Sequence, residues 1–444
     1  MRTCRSQAVA PRPGVEPRTA APRATEPRLR AGIIPAAIGA VVLLAATARA
    51  ADTWTDISTP LIESLKSKGQ KLAWPGGCSG VVVNRLTGEV VVKVVGGGLW
   101  RSSDKGATWQ RIDEGTISGR DETGWATSVD QNEPKRMASF SLDGLAGWTA
   151  DGTHWKSFTN NGRNWDFGSV DWSAASPKTI IVARHETSPP GEVDLSTDTG
   201  VTWNKIAINL SGNPNQVAMV GALDATTLIY SNGKGIHRST DTGATWAQVS
   251  EANPLTRISV LFRGVHYLGT AAGLLVSKDK GATWQPQGAA VKIRLGPFFG
   301  ADENTMVVVG DDGAHLTKDA GKTWTRVAGL KPAQDGYGFA TNWFGCYSWD
   351  PVNNILYASA MGNPAFKLEM GKFPSAAANE PAPAEAKATG RILFRKRPDD
   401  QLFAMRPDGS QVEKLSVGPC GMSWSRDFRQ IVRPENSVWG LQGE

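Results

Sequence analysis

Cysteine and histidine are scarce in this chain, four and five among 444 residues, and their scarcity excludes several chemistries. There is no Cys-x-x-Cys pair and the histidines are scattered, so no zinc-ligand spacing is present and no metal is expected. Cys4 lies near the start; Cys78, Cys346 and Cys420 permit one disulfide and one leftover thiol. No Gly-rich phosphate loop or Ser-His-Asp spacing stands out, and no cofactor is expected. Long apolar runs are missing too: Ala31 to Ala46 is too short and Ala-rich for a stable membrane span.

Charge of one sign is absent from most of the chain. The formal charge is +6, from 48 basic and 42 acidic residues. Eight of those arginines and two of the glutamates lie in residues 1–50, which leaves forty of each sign and no net charge. No basic run interleaved with aromatics follows, which argues against nucleic acid as a partner. Arg28 and Arg30 precede the apolar run and Ala48-Arg49-Ala50 fits a small-x-small cleavage site, so residues 1–50 read as an extended leader and signal peptide. The mature protein is then expected to be exported, periplasmic or extracellular, with no membrane span after cleavage.

What the chain has is a repeat. Ser239-Thr240-Asp241-Thr242-Gly243-Ala244-Thr245-Trp246 returns as Ser-x-Asp-x-Gly-x-Thr-Trp at Ser102 to Trp109, Ser196 to Trp203 and Ser277 to Trp284, with Thr first at Thr317 to Trp324. Thr149 to Trp155 is a copy one residue short. The aspartates Asp104, Asp151, Asp198, Asp241, Asp279 and Asp319 are separated by 47, 47, 43, 38 and 40 residues, one supersecondary unit per repeat. In each, Gly accepts positive φ, Asp and Ser or Thr can bond nearby N–H groups, and Trp buries a ring beneath the turn. The motif is a hairpin clasp with a structural role.

Short alternating strands precede each clasp, as in Val81-Val82-Val83-Asn84, Glu89-Val90-Val91-Val92 and Gly98-Leu99-Trp100-Arg101, and Gln110-Arg111-Ile112 follows. Four strands per unit make a propeller blade. Units near 75–112, 120–158, 164–206, 213–249, 256–288 and 292–328 carry clasps, and a seventh near 337–372 opens with Tyr347-Ser348-Trp349-Asp350-Pro351. The expected fold is an all-β, seven-bladed propeller over residues 51–372, with Thr53-Trp54-Thr55-Asp56-Ile57 able to close the ring. Residues 373–390 read as an Ala/Pro/Glu linker and 391–444 as a short β-rich appendage.

The clasps resemble the Asp-box, or BNR repeat, of sialidases, sortilin-type receptors, xyloglucan hydrolases and a photosystem assembly factor, all β-propellers. That resemblance implies that the boxes lie at the blade periphery, away from the active face. Arg391-Ile392-Leu393-Phe394, Gln401 to Ser410 and Ser423-Trp424-Ser425-Arg426-Asp427 resemble a single TolB-like repeat. The Phe-Arg-Ile-Pro element of sialidases has no counterpart, and residues 51–99 contain one arginine, Arg85, so sialidase chemistry is disfavoured.

A propeller binds at one channel mouth, which makes the loops entering each unit the candidates. Trp74, Arg120, Trp125, Trp165, Asn215, Gln216, Arg257, Arg294, Trp343 and Tyr347 could stack on sugar faces or read hydroxyls and carboxylates; any single Trp could equally plug the channel. Asp121 and Asp166 are the available catalytic pair, with Glu122 and Glu186 as substitutes, while His185 reads more simply as a packed or solvated side chain. Cys78 and Cys346 precede the first strands of units one and seven, and the two readings are a seam disulfide between them and a pair of buried free thiols. The leading expectation is a glycan- or protein-binding module, and the alternative is a glycoside hydrolase of the xyloglucan-hydrolase kind.

Overall fold

The computed structural model describes residues 52–159, 164–333 and 338–371 in full, together with the backbone of short strands between 392 and 440. The leader, Cys4, Cys420 and the linker lie outside the described residues, as do the side chains of the appendage.

Each unit becomes one antiparallel four-stranded sheet, seven in all. Blades 1 to 6 span residues 78–111, 127–157, 165–207, 219–250, 260–287 and 295–328. Blade 7 takes three strands from residues 346–369, and its outer strand is Thr55–Asp56, where Thr55 pairs with Lys367 and Asp56 with Phe366. The chain is a seven-bladed β-propeller whose ring is closed by strands from far-separated parts of the sequence.

The burial of each strand follows its composition. Inner strands such as Trp165–Val170 and Cys346–Asp350 are buried along their whole length, and Cys78–Val83 nearly so. Outer strands such as Asn204–Ala207 and Ala247–Ser250 are polar and mostly exposed. Strands flanked on both faces tolerate continuous apolar sequence, whereas a rim strand needs polar residues. Inner strands of neighbouring blades are stitched by side chains: Val83 N–H donates to Ser348 Oγ at 3.0 Å, and Ala222 N–H to Ser169 Oγ at 3.1 Å.

The clasps form the hairpins between third and fourth strands. At Asp241 the next two residues, Thr242 and Gly243, have φ of 55° and 87°, the geometry of a type I′ turn. Ser239 Oγ donates to Asp241 Oδ1 at 2.7 Å and accepts from Gly243 N–H at 2.8 Å. Asp241 in turn accepts from Thr245 N–H at 2.9 Å and Thr245 Oγ at 2.6 Å. The same set recurs at Asp104, Asp198, Asp279 and Asp319. In the shortened copy, Asp151 Oδ1 accepts from the N–H groups of Thr153 and His154, both at 2.8 Å, and Oδ2 meets His154 Nδ1 at 2.7 Å. The Thr hydroxyls hold Asp104, Asp241 and Asp279 down at about 2.

At the seam, the disulfide expected between Cys78 and Cys346 is not formed: both thiols are free and buried. The Cys78 thiol donates to Ser58 Oγ at 3.5 Å, while the Cys346 thiol donates to the Val81 carbonyl at 3.2 Å. Each thiol is engaged with its own partner, and burial pushes Cys78 up to about 11 and Cys346 to about 12. The helix α1, Thr59–Ser67, lays Leu61, Ile62 and Leu65 onto this seam.

Side chains bridge the propeller axis at both ends. At the end carrying the clasps, Arg85 of blade 1 donates to the carbonyl of Gly300 in blade 6 at 2.8 Å, and its guanidinium lies 4.8 Å from the Phe262 ring of blade 5. At the other end, Trp125 Nε1 reaches from blade 2 to the carbonyl of Arg294 before blade 6 at 3.2 Å. The appendage forms two three-stranded sheets, one from Ile392–Lys396, Gln401–Met405 and Glu413–Lys414, the other from Ser423–Trp424, Gln430–Val432 and Val438–Gly440.

Candidate functional site

Antiparallel connectivity sorts the turns into two sets. Clasps and first-to-second strand turns share one end; loops entering the first strands and second-to-third turns share the other. The entry end is the irregular one, and its charged residues form a connected cluster.

Glu122 and Asp166 are brought near each other there, with His185 Nδ1 2.8 Å from Asp166 Oδ1. Asp166 is 1% exposed; burial raises its carboxyl, opposed by His185 and then by Arg257. The hydrogen bond to Asp166 raises His185 above the ordinary imidazole value. Glu122 is raised chiefly by burial and next by Asp166, against the opposing charges of His185 and Arg120 and a side-chain hydrogen bond from Trp343. Arg120 lies between Glu122, with Nε 3.5 Å from Oε2, and Asp143, to which it is ion-paired.

Arg257 occupies the middle of this end. Its guanidinium sits 4.5 Å from the centroid of Trp343 and 5.7 Å from that of Phe167, and its NH1 donates to the carbonyl of Ala218 at 3.2 Å. Burial lowers its pKa to about 10. Arg294 is turned to Asp311, with Nε 2.7 Å from Oδ1.

Asp121 faces elsewhere. It is 2% exposed and ion-paired to Lys93 Nζ at 2.7 Å, in the packing between blades 1 and 2. Lys93 also donates to Ser139 Oγ at 3.2 Å and to the Phe140 carbonyl at 3.0 Å, which gives the buried ammonium the partners it requires. Gly80 is needed beside it, because a Cβ there would lie 2.2 Å from Asp121 Oδ2. Burial raises the Asp121 carboxyl against the pull of Lys93. Neither Asp121 nor Asp166 is open to solvent.

The other expected residues divide. Trp165 is a core residue: its Nε1 donates to Asp194 Oδ2 at 2.6 Å and its ring packs 4.6 Å from Trp203. Tyr347 is buried, with its hydroxyl donating to the Phe339 carbonyl at 3.0 Å. Trp125 is the axial plug described above. Asn215 is exposed and its backbone carbonyl accepts from Thr187 N–H at 2.9 Å; Gln216 is half-buried. Arg120, Arg257 and Trp343 are brought together with Glu122. Trp74 stands at the rim, 65% exposed, with the Arg120 guanidinium 5.5 Å from its ring centroid.

Residues on the second-to-third turns, Asp143, His185 and Asp311, complete the cluster, and Lys93 locks Asp121. The sequence signal for Lys93 is a lone charge inside Val90–Val94, a strand buried throughout. Among the described residues no group of His, Cys, Asp and Glu could hold a metal ion, and no helix is long and apolar enough to cross a membrane.

No family model matches the chain. A stretch of 203 residues is 29% identical to a xyloglucanase of Hypocrea jecorina (strain QM6a), covering 43% of this chain and 24% of that protein's length. Among solved structures, the GH74 enzyme of Niastella koreensis is similar with a TM-score of 0.41 at 14% identity, over 81% of this chain and 70% of that one. An ancestral GH74 enzyme gives 0.38 at 16% identity, over 66% and 45%. These distant structural likenesses carry no argument about chemistry.

Proposed function

We propose that this protein is an exported propeller of the Asp-box kind that binds a glycan at its entry end, through Trp343, Arg120 and Arg257. The observation that supports binding over turnover is the commitment of both candidate carboxylates: Asp121 is sealed against Lys93 and Asp166 against His185. A ring beside hydrogen-bonding side chains suits a sugar, whose apolar face stacks while hydroxyls are read at the edge. The protein carries no nucleic-acid-binding patch in this reading, and a protein partner at the same end is the variant of it.

A glycoside hydrolase is the second reading. It is favoured by the 203-residue likeness to a xyloglucanase and by Glu122, whose raised carboxyl next to Asp166 has the character of a general acid. Incubating the mature chain with a panel of neutral glycans, and measuring retention beside release of reducing ends, separates the two. Retention without release, weakened by Trp343→Ala, supports binding. Release of reducing ends that disappears in Glu122→Gln overturns it.

A further inference from the structure

Residues 69–76 lead from α1 to blade 1 and frame a surface depression of ≈ 600 Å³ lined in part by Lys66, Gln70, Lys71 and Trp74. The Trp74 ring also lies against the entry-end cluster, with the Arg120 guanidinium 5.5 Å from its centroid. We propose that depression and cluster are two stations of one track, and that the ligand is a polysaccharide segment running outward from Trp343 across Arg120 to Trp74. This rests on the glycan-binding reading of the entry end and extends its ligand from a single sugar to a chain.

Three observations carry this. First, the two rings are joined by side chains in contact. Arg120 stands between them, with its guanidinium at Trp74 and its Nε 3.5 Å from Glu122 Oε2, and Glu122 takes the side-chain hydrogen bond from Trp343. Second, the segments that carry these groups are fixed side by side. Gly96, in the second-to-third turn of blade 1, donates its N–H to the carbonyl of Gly119 at 3.0 Å, next to Arg120. A Cβ on Gly96 would lie 2.6 Å from the backbone nitrogen of Ala73, so the segment carrying Trp74 is pressed against the same turn. Arg120 exchanges backbone bonds with Leu142 at 3.0 and 3.1 Å and is ion-paired to Asp143. Groups held in this way lose little freedom when a ligand settles on them. Third, the chemistry alternates as a sugar chain requires. Trp74 is 65% exposed and Trp343 half-buried, which leaves ring surface for stacking. The Arg120 charge is matched by Asp143 and Glu122, so it can read hydroxyls without demanding an acidic ligand, and Gln70, Lys66 and Lys71 border the outer station as further donors. A polysaccharide repeats an apolar face and a hydroxyl edge along its length, which suits rings set apart with donors between them.

Calorimetry of the chain with two series, cello-oligosaccharides and oligogalacturonates from disaccharide to octasaccharide, tests the proposal. In the series that binds, the octasaccharide should bind about tenfold more tightly than the disaccharide. Trp74→Ala should bring that ratio down to about one, and Trp74→Phe, which keeps a ring, should restore part of it. Trp343→Ala should weaken both lengths. Trp74 is exposed, so its variants should melt like the parent. An octasaccharide that binds no better than the disaccharide, or a gain with length that survives in Trp74→Ala, overturns the track. Disaccharide binding that still depends on Trp343 would then leave the entry-end reading standing, whereas failure of both series to bind at any length overturns the two together.

Discussion

The two ends of this propeller use aspartate in opposite ways. At the clasp end, the carboxylates are exposed and saturated with donors from their own turn, so they stay ionised to about pH 2. At the entry end, Asp121 and Asp166 are taken out of water and raised, and held by partners from other elements, Lys93 and Thr127 for Asp121 and His185 and Arg257 for Asp166. The first arrangement is local and therefore repeatable; the second depends on tertiary structure and occurs once per site. Repetition marks what builds the blade, and departure from it marks where chemistry could be placed.

The contrast can be broken by substitution. Lys93→Met strands the Asp121 carboxylate in the interior, and a loss of about 3–5 kcal/mol is expected. A urea midpoint for this variant close to the parent's would show that the pair is not held as described. Replacing the turn carboxylate in Asp241→Ala should cost less, because the Thr245 donors it leaves are exposed and water takes them over. If Asp241→Ala proved the more damaging, the ranking of the two ends would be reversed.

Acid titration sharpens the comparison. His266 is buried, its Nδ1 lacks a partner, and burial lowers it to about 4. The unfolded chain takes up the proton at ~6.5 and the folded chain only near 4, so stability falls by about 1.4 kcal/mol per pH unit between those values. His266→Leu should remove that slope from melting curves. The clasp aspartates act lower: their contribution is complete above ~4 and is lost as pH falls towards 2. The smallest effect is Thr323→Val, which deletes one hydroxyl bond to Asp319 and should cost about 0.5–1.5 kcal/mol in a thermal unfolding assay.

The propeller was legible because its evidence is periodic: the clasp spacing located six blades, the blade-opening pattern Tyr347 to Pro351 a seventh without a clasp, and Thr53 to Ile57 the strand that closes the ring. The entry end was legible only in part. Loops before first strands could be found by counting, which located Arg120, Glu122, Arg257 and Trp343. Asp143, His185 and Asp311 sit on turns whose spatial neighbours are set by the fold, so no local pattern ties Asp166 to His185. The pairing of Cys78 with Cys346 failed for a related reason: similar positions in adjoining blades do not specify where each thiol points.

Ring closure has a kinetic consequence. Thr55 is among the earliest residues of the propeller to be synthesised, yet its partner Lys367 is among the last. Such a contact pays nearly the whole loop-closure entropy of the domain for a two-residue ladder. Blade 7 should therefore be the last sheet to gain protection from hydrogen exchange during refolding, and until it does the chain is an open arc with an unpaired edge.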